Sequence, residues 1–309
     1  MNNTKLLHYA VKVIEVGSKS FSIASKLFNA KTRRSVLMLY AWCRYCDDVV
    51  DNQRLGFPSV SSLLHTPQQR LTELELKTRQ AYSGMKMHEL AFEAFQEVVF
   101  THSISSVYAF EHLEGFAMDV RDTRYETLQD TLRYCYHVAG VVGLMMAQIM
   151  GVRDDLILDR ACDLGIAFQL TNIARDIIED SRIGRCYLPE SWLREAGLDR
   201  LHFADHAYRS ALSCVARRLL SQAELYYASA SVGLAGISFR STWAIATAKE
   251  IYRRIGVKVY RKGESAWDYR QSTSIKEKFL LLVMGAAQAI RSRVSASQPR
   301  SVALWQRSY

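Results

Sequence analysis

Apolar residues recur every three to four positions along most of the chain, the spacing that gathers them on one face of an α-helix. The pattern predicts helices over residues 6–16, 32–51, 67–83, 88–101, 106–119, 127–150, 154–180, 205–229, 239–262 and 275–292. Alternation at period two, the mark of a half-buried strand, is nowhere sustained. The four prolines, Pro58, Pro67, Pro189 and Pro299, leave long stretches in which every residue keeps its helical N–H donor. Loops are signalled at 52–66 and 184–189, and a polar tail begins at Ser295. No repeat of solenoid length and no long linker interrupts the pattern, which therefore predicts an all-α fold with one domain over 1–294 and a tail over 295–309.

Composition supports a large core: 49% of the 309 residues are hydrophobic, which argues against disorder. The longest apolar run, VAGVVGLMMA at 138–147, falls well short of the ~20 residues that a membrane-crossing helix needs, so a buried helix is expected there. Within it Gly140 and Gly143 remove side chains from nearly one face and admit a close neighbour, either another helix or a ligand. Six scattered cysteines and an N-terminus without an apolar signal core fit a reducing cytoplasm. Cys43 and Cys46 form a CxxC with no second ligand pair at metal spacing, and helix packing is the expected role. A net charge of +9 attracts nucleic acid, anionic membrane and anionic substrates alike. The basic residues are spread as pairs and no nucleic-acid motif accompanies them, so no nucleic-acid partner is expected.

The chemistry lies in two acidic pairs. Asp47 and Asp51 in CRYCDDVVD, and Asp176 and Asp180 in ARDIIED, are each four apart, which puts both carboxylates of a pair on one helical face about one turn apart. Like charges at that spacing destabilise a helix, and both pairs emerge from apolar helices where unneutralised carboxylates are costly. A hard divalent cation resolves the conflict, and Mg2+ characteristically combines one or two carboxylates with substrate phosphate oxygens. Arg44, Arg175 and Arg185 stand nearby in sequence with forks suited to phosphate. Ser18, Lys19 and Ser20 could cradle a further phosphate, and the aromatics Phe21, Tyr40, Phe168 and Tyr252 could face a carbocation. Asp48 points roughly 100 degrees away from Asp47 and ranks second as a ligand. Asp119 and Asp122 in FAMDVRD are assigned to helix-end electrostatics.

Four segments, in order along the chain, resemble the squalene and phytoene synthase family: SKSF at 18–21, YAWCRYCDDVVD at 40–51, YCYHVAGVVGLMMAQI at 134–149 and LGIAFQLTNIARDIIEDSRIGRCYLP at 164–189. The similarity runs through nearly the whole chain, to WDYRQSTSIKEK at 267–278, and is greatest to bacterial members that make phytoene. The resemblance implies an isoprenoid-synthase helical fold with a central cavity. It also implies head-to-head condensation of two geranylgeranyl diphosphates, through a cyclopropyl diphosphate, to phytoene. Asp47, Asp51, Asn172, Asp176 and Asp180 would hold Mg2+ or Mn2+, with no NADPH required. Tyr40, Arg44, Arg175, Arg185 and Tyr187 would act on the reacting diphosphate, while Ser18, Ser20, Phe21, Gln169, Tyr252 and Arg270 would bind substrate. Competing expectations are a farnesyl diphosphate-using dehydrosqualene or squalene synthase, a terpene cyclase or chain-elongating prenyl transferase, and a non-catalytic helical membrane adaptor. An apolar product further predicts peripheral contact with the inner membrane surface and places other carotenoid enzymes among the candidate partners.

Overall fold

The computed structural model describes residues 2–54, 57–58, 65–294 and 298–307. Thirteen helices account for most of these: α1 (Asn2–Gly17), α2 (Lys19–Ser25), α3 (Ala30–Val50), α4 (Pro67–Tyr82), α5 (Leu90–His102), α6 (Ser106–Val120), α7 (Leu128–Cys135), α8 (Val141–Ile149), α9 (Asp155–Arg182), α10 (Glu190–Glu195), α11 (Arg209–Gly233), α12 (Phe239–Lys262) and α13 (Ile275–Arg291). The described strand structure is a two-residue antiparallel pairing of Gln53–Arg54 with Phe57–Pro58. The predicted loop at 52–66 otherwise falls largely outside the described residues.

Polar side chains set the helix starts. Asn29 caps α3 by accepting the Thr32 N–H, and Thr66 caps α4 in a reciprocal pair with Gln69. Asn52, at φ 54°, takes the left-handed conformation just beyond the end of α3. Two short helices, α2 and α10, were not predicted, because seven and six residues are too few to display a period. The predicted helix at 127–150 is interrupted: from Tyr136 to Gly140 the backbone forms a π-turn, in which the Val141 N–H donates to the Tyr136 carbonyl.

The core is built around α9, which packs against α8, α11 and α12, while α3 lies between α1, α5 and α8. Trp42 of α3 stacks on Phe95 of α5 at 3.9 Å, and both are fully buried. Where α9 meets the π-turn and α8 the backbones nearly touch. A Cβ on Gly143 would sit 2.3 Å from the Ala161 carbonyl oxygen, and one on Gly165 would sit 2.1 Å from that of Ala139. The glycines of the apolar run therefore serve helix approach, and Gly143 also lines a cavity. Of the tail, residues 298–307 lie along α9 and α11: Arg300 bonds both oxygens of the fully buried Asp163 at 2.9 and 2.7 Å, and the Trp305 N–H donates to the Tyr226 hydroxyl.

Candidate active site

The C-terminal halves of α3 and α9 bring the two acidic pairs to one cleft of about 720 Å³. Asp47, Asp51, Asn172, Asp176 and Asp180 line it together with Tyr40, Arg44, Gln169, Arg175, Arg185, Tyr187, Ser18, Ser20, Tyr252 and Arg270. Phe21 and Phe168, the remaining sequence-predicted residues, line an apolar cavity of about 300 Å³ below. Cleft and cavity share Tyr40, Cys43, Val138, Gln169, Asn172 and Tyr252, so they form one continuous pocket with a charged mouth and an apolar interior. Stacked Phe168 and Tyr252, 4.3 Å apart, and tilted Phe21 and Tyr40, 5.7 Å apart, stand where the two regions join.

Local backbone geometry explains how distant segments reach the cleft. After α9, Gly184 at φ +79° reverses the chain, and the Arg185 N–H returns to the Asp180 carbonyl. That reversal points Arg185 across to Asp51 of α3, with bonds of 3.2 and 2.5 Å, and Tyr187 to Asp119 of α6 at 3.0 Å. Ser18 is the N-cap of α2, its oxygen accepting the Phe21 N–H, which leaves the hydroxyl hydrogen to donate into the cleft.

Arginines already neutralise three of the four paired carboxylates. Arg44 bonds Asp47 and Asp48 at 2.8 Å each, Arg175 grips Asp176 with bonds of 2.7 and 2.5 Å, and Arg270 adds a third to Asp176 at 3.0 Å. Asp180 receives no side-chain hydrogen bond from the described residues. Burial and then the neighbouring Asp176 push its carboxyl up to about 8. Asp47 is 40% open on its side chain yet walled in by the cleft, and burial with Asp51 and Asp48 nearby raises it to about 6 against the pull of Arg44.

Asp48 turns away to a separate surface hollow beside α4, as its helical position predicts. Asp119 corrects an expectation. It sits in the last turn of α6, where the helix dipole opposes a carboxylate, so helix-end electrostatics cannot account for it. It is instead a cleft residue held by the Tyr187 and Tyr134 hydroxyls at 3.0 and 3.2 Å, and burial raises its carboxyl to about 6. Asp122 pairs at the surface with Arg200. Tyr134 and His112 also line the cleft without having been predicted. Tyr134 falls within the 134–149 segment, whereas His112 had no signal beyond its place on a helix. Cys43 and Cys46 carry free thiols; Cys46 is buried in the core and Cys43 faces the pocket.

The cleft offers a divalent cation oxygen donors: crowded carboxylates and a buried Asn172 Oδ1 with no hydrogen-bond partner. Among the described residues no three Asp, Glu, His or Cys side chains converge closely enough to hold an ion by themselves. Phosphate oxygens from a ligand would therefore complete the coordination.

An all-helical pocket with paired acidic helices at its mouth and an apolar floor suits an enzyme whose substrate has a phosphate head and an apolar tail. The chain belongs to the squalene/phytoene synthase family, whose model matches residues 14–277. It is 64% identical over 307 residues to the 15-cis-phytoene synthase of Pantoea ananas, covering 99% of both chains. It is also 55% identical to the phytoene synthase of Pseudescherichia vulneris over the same length, again 99% of each. Among solved structures, a dehydrosqualene synthase in complex with a ligand superposes with a TM-score of 0.82 at 29% identity, covering 94% of this chain and 98% of that one. A squalene synthase from Alicyclobacillus acidocaldarius, at 20% identity and a TM-score of 0.71, shares the fold.

Proposed function

We propose that this chain joins two geranylgeranyl diphosphates head to head, through the cyclopropyl intermediate prephytoene diphosphate, to give phytoene in carotenoid biosynthesis. The observation that carries the reading is the pocket itself, in which a charged cleft opens directly into an apolar cavity through six shared residues. The choice of a twenty-carbon substrate over farnesyl diphosphate rests on the near full-length identity to phytoene synthases.

In this reading Asp47, Asp51, Asn172, Asp176 and Asp180 hold Mg2+ or Mn2+, which supplies positive charge to the departing diphosphate. Arg44, Arg175, Arg185 and Arg270, with Ser18, Ser20, Gln169 and Tyr187, bind and orient the two diphosphates at the mouth. The hydrocarbon tails fill the cavity below, where apolar side chains exclude the water that would quench an allylic cation. The faces of Phe21, Tyr40, Phe168 and Tyr252 stabilise positive charge at the junction. Each half-reaction breaks a C–O bond to diphosphate and ends in proton loss, with the released diphosphate as acceptor, so no reductant is consumed. The apolar product makes contact with the inner membrane surface, and with other carotenoid enzymes, the natural route of release. Among the described residues no helix is long and apolar enough to cross a membrane.

The test is incubation of purified protein with Mg2+ and either geranylgeranyl or farnesyl diphosphate, without NADPH, followed by mass analysis. A forty-carbon hydrocarbon, lost on chelation and in Asp176→Ala, is expected. A thirty-carbon product alone moves the chain to the dehydrosqualene branch, and no product from either substrate refutes the reading.

A further inference from the structure

Helix α13 is built inside out. Its inward positions are small or few: Leu281, Gly285 and Ala289 are buried, and a Cβ on Gly285 would lie 2.4 Å from the Thr247 hydroxyl of α12. Its large apolar side chains point outward, with Ile275, Phe279, Leu280, Val283, Met284 and Ile290 between 41% and 86% exposed. A surface helix normally shows the reverse arrangement, and a continuous apolar face of this kind marks an interaction surface.

Charge identifies what the face meets. Between 239 and 294 the chain carries twelve Lys and Arg against four Asp and Glu, a surplus of eight out of the chain's net +9. On α13 itself Lys276 and Lys278 stand at one end and Arg291 at the other, and the single acid, Glu277, is bound by Lys258 at 2.7 Å. Lys278 also lies beside Lys19 of α2, so basic charge continues from α13 to the rim of the substrate cleft. The loop that joins α12 to α13 supplies Arg270, Gln271 and Ser272 to the same rim, and α12 supplies Ile245 and Tyr252 to the cavity wall. Pairing two copies through this face would set each copy's basic flanks against those of the other. An anionic lipid surface instead takes up the apolar side chains and satisfies the lysines.

We infer that the outward face of α13 seats the enzyme on an anionic bilayer, with the apolar side chains in the headgroup–acyl boundary and the exposed Lys276 on the lipid phosphates. The inference deepens the membrane contact proposed above and places the cleft mouth at the bilayer surface. The apolar substrate tails and the product then exchange with lipid rather than with water.

The test is sedimentation of the purified full-length chain with vesicles of phosphatidylcholine alone or mixed with phosphatidylglycerol, at low and high salt. Binding is expected to the mixed vesicles only, and to fall with salt. Phe279→Ser with Val283→Ser should weaken it at least tenfold, and Lys276→Gln should weaken it about fivefold. Activity assayed in detergent micelles should be unchanged in both variants, so loss of vesicle binding is separable from loss of the catalytic reading. Lys276 is exposed and does not enter the core, so its variant decides the matter if the apolar variant proves misfolded by circular dichroism. Wild-type protein that ignores the anionic vesicles, or variants that bind as well as wild type, would overturn the inference. So would a wild-type dimer that Phe279→Ser with Val283→Ser turns into monomer, since a second copy would then be the occupant.

Discussion

Replacing Asp180 by Asn should make the unliganded protein more stable as pH rises while abolishing its activity. The native carboxyl is raised to about 8 from an ordinary value of 3.8. Between those values the folded state holds a proton that the unfolded chain has released, so stability falls as pH rises from about 4 to about 8. Asn carries no such penalty. Each pH unit of displaced titration corresponds to about 1.4 kcal/mol, and the interval from pH 5.5 to pH 8.5 contains roughly two and a half units of it, a gap of about 3 kcal/mol. Urea denaturation of both proteins at the two pH values, without divalent ions, measures the gap. The variant should gain on wild type by that amount at the higher pH, and Mg2+ with inorganic diphosphate should narrow or reverse the gap by stabilising wild type more than the variant. Parallel pH curves for the two proteins would refute the argument, because Asp180 would then not be a strained carboxylate.

Two structural predictions follow from close contacts. Gly165→Ala places a Cβ 2.1 Å from the Ala139 carbonyl oxygen, forcing the π-turn away from α9, and should cost about 1–3 kcal/mol in denaturant unfolding; a neutral result would mean the two segments separate freely. Asp163→Ala leaves Arg300 buried without its carboxylate and should cost ~3–5 kcal/mol, with residues 298–307 becoming sensitive to limited proteolysis; a change below ~1 kcal/mol would show that Arg300 finds water instead.

The acidic pairs were legible in sequence because a four-residue spacing fixes both members on one helical face wherever the helix ends up. Their convergence was not legible, since it depends on the contact of α3 with α9's neighbours and on the Gly184 reversal that carries Arg185 back to Asp51. Asp119 was misassigned for the same reason: in sequence it is one acid near a helix end, and only the packing of α6 against the segment around Tyr134 and Tyr187 makes it part of the cleft. The π-turn at 136–140 escaped because a single widened turn barely disturbs the apolar period on either side of it. The outward apolar face of α13 escaped for a different reason. Periodicity reports that a helix has an apolar stripe, and it takes packing to show that glycine and alanine face inward while Phe279 and Val283 face out.

The ion pairs of the cleft also explain why Asp180 is the strained member. Asp47, Asp51 and Asp176 each have an arginine within hydrogen-bond distance, and those same arginines are the groups best suited to grip diphosphate. A diphosphate that draws Arg44, Arg175 or Arg185 toward itself takes positive charge away from the carboxylate it leaves, and that carboxylate then needs another counter-charge. Substrate and divalent cation should therefore bind together more tightly than either does alone, each supplying what the other's binding removes. Calorimetric titration of Mg2+ with and without inorganic diphosphate measures that coupling. Asp180, which no arginine hydrogen-bonds and which Arg185 reaches only through space, should contribute to cation affinity whether or not diphosphate is present, so Asp180→Asn should weaken Mg2+ binding in both titrations. Weakening only when diphosphate is present would mean that Asp180 acts on the anion's arginines instead of on the cation.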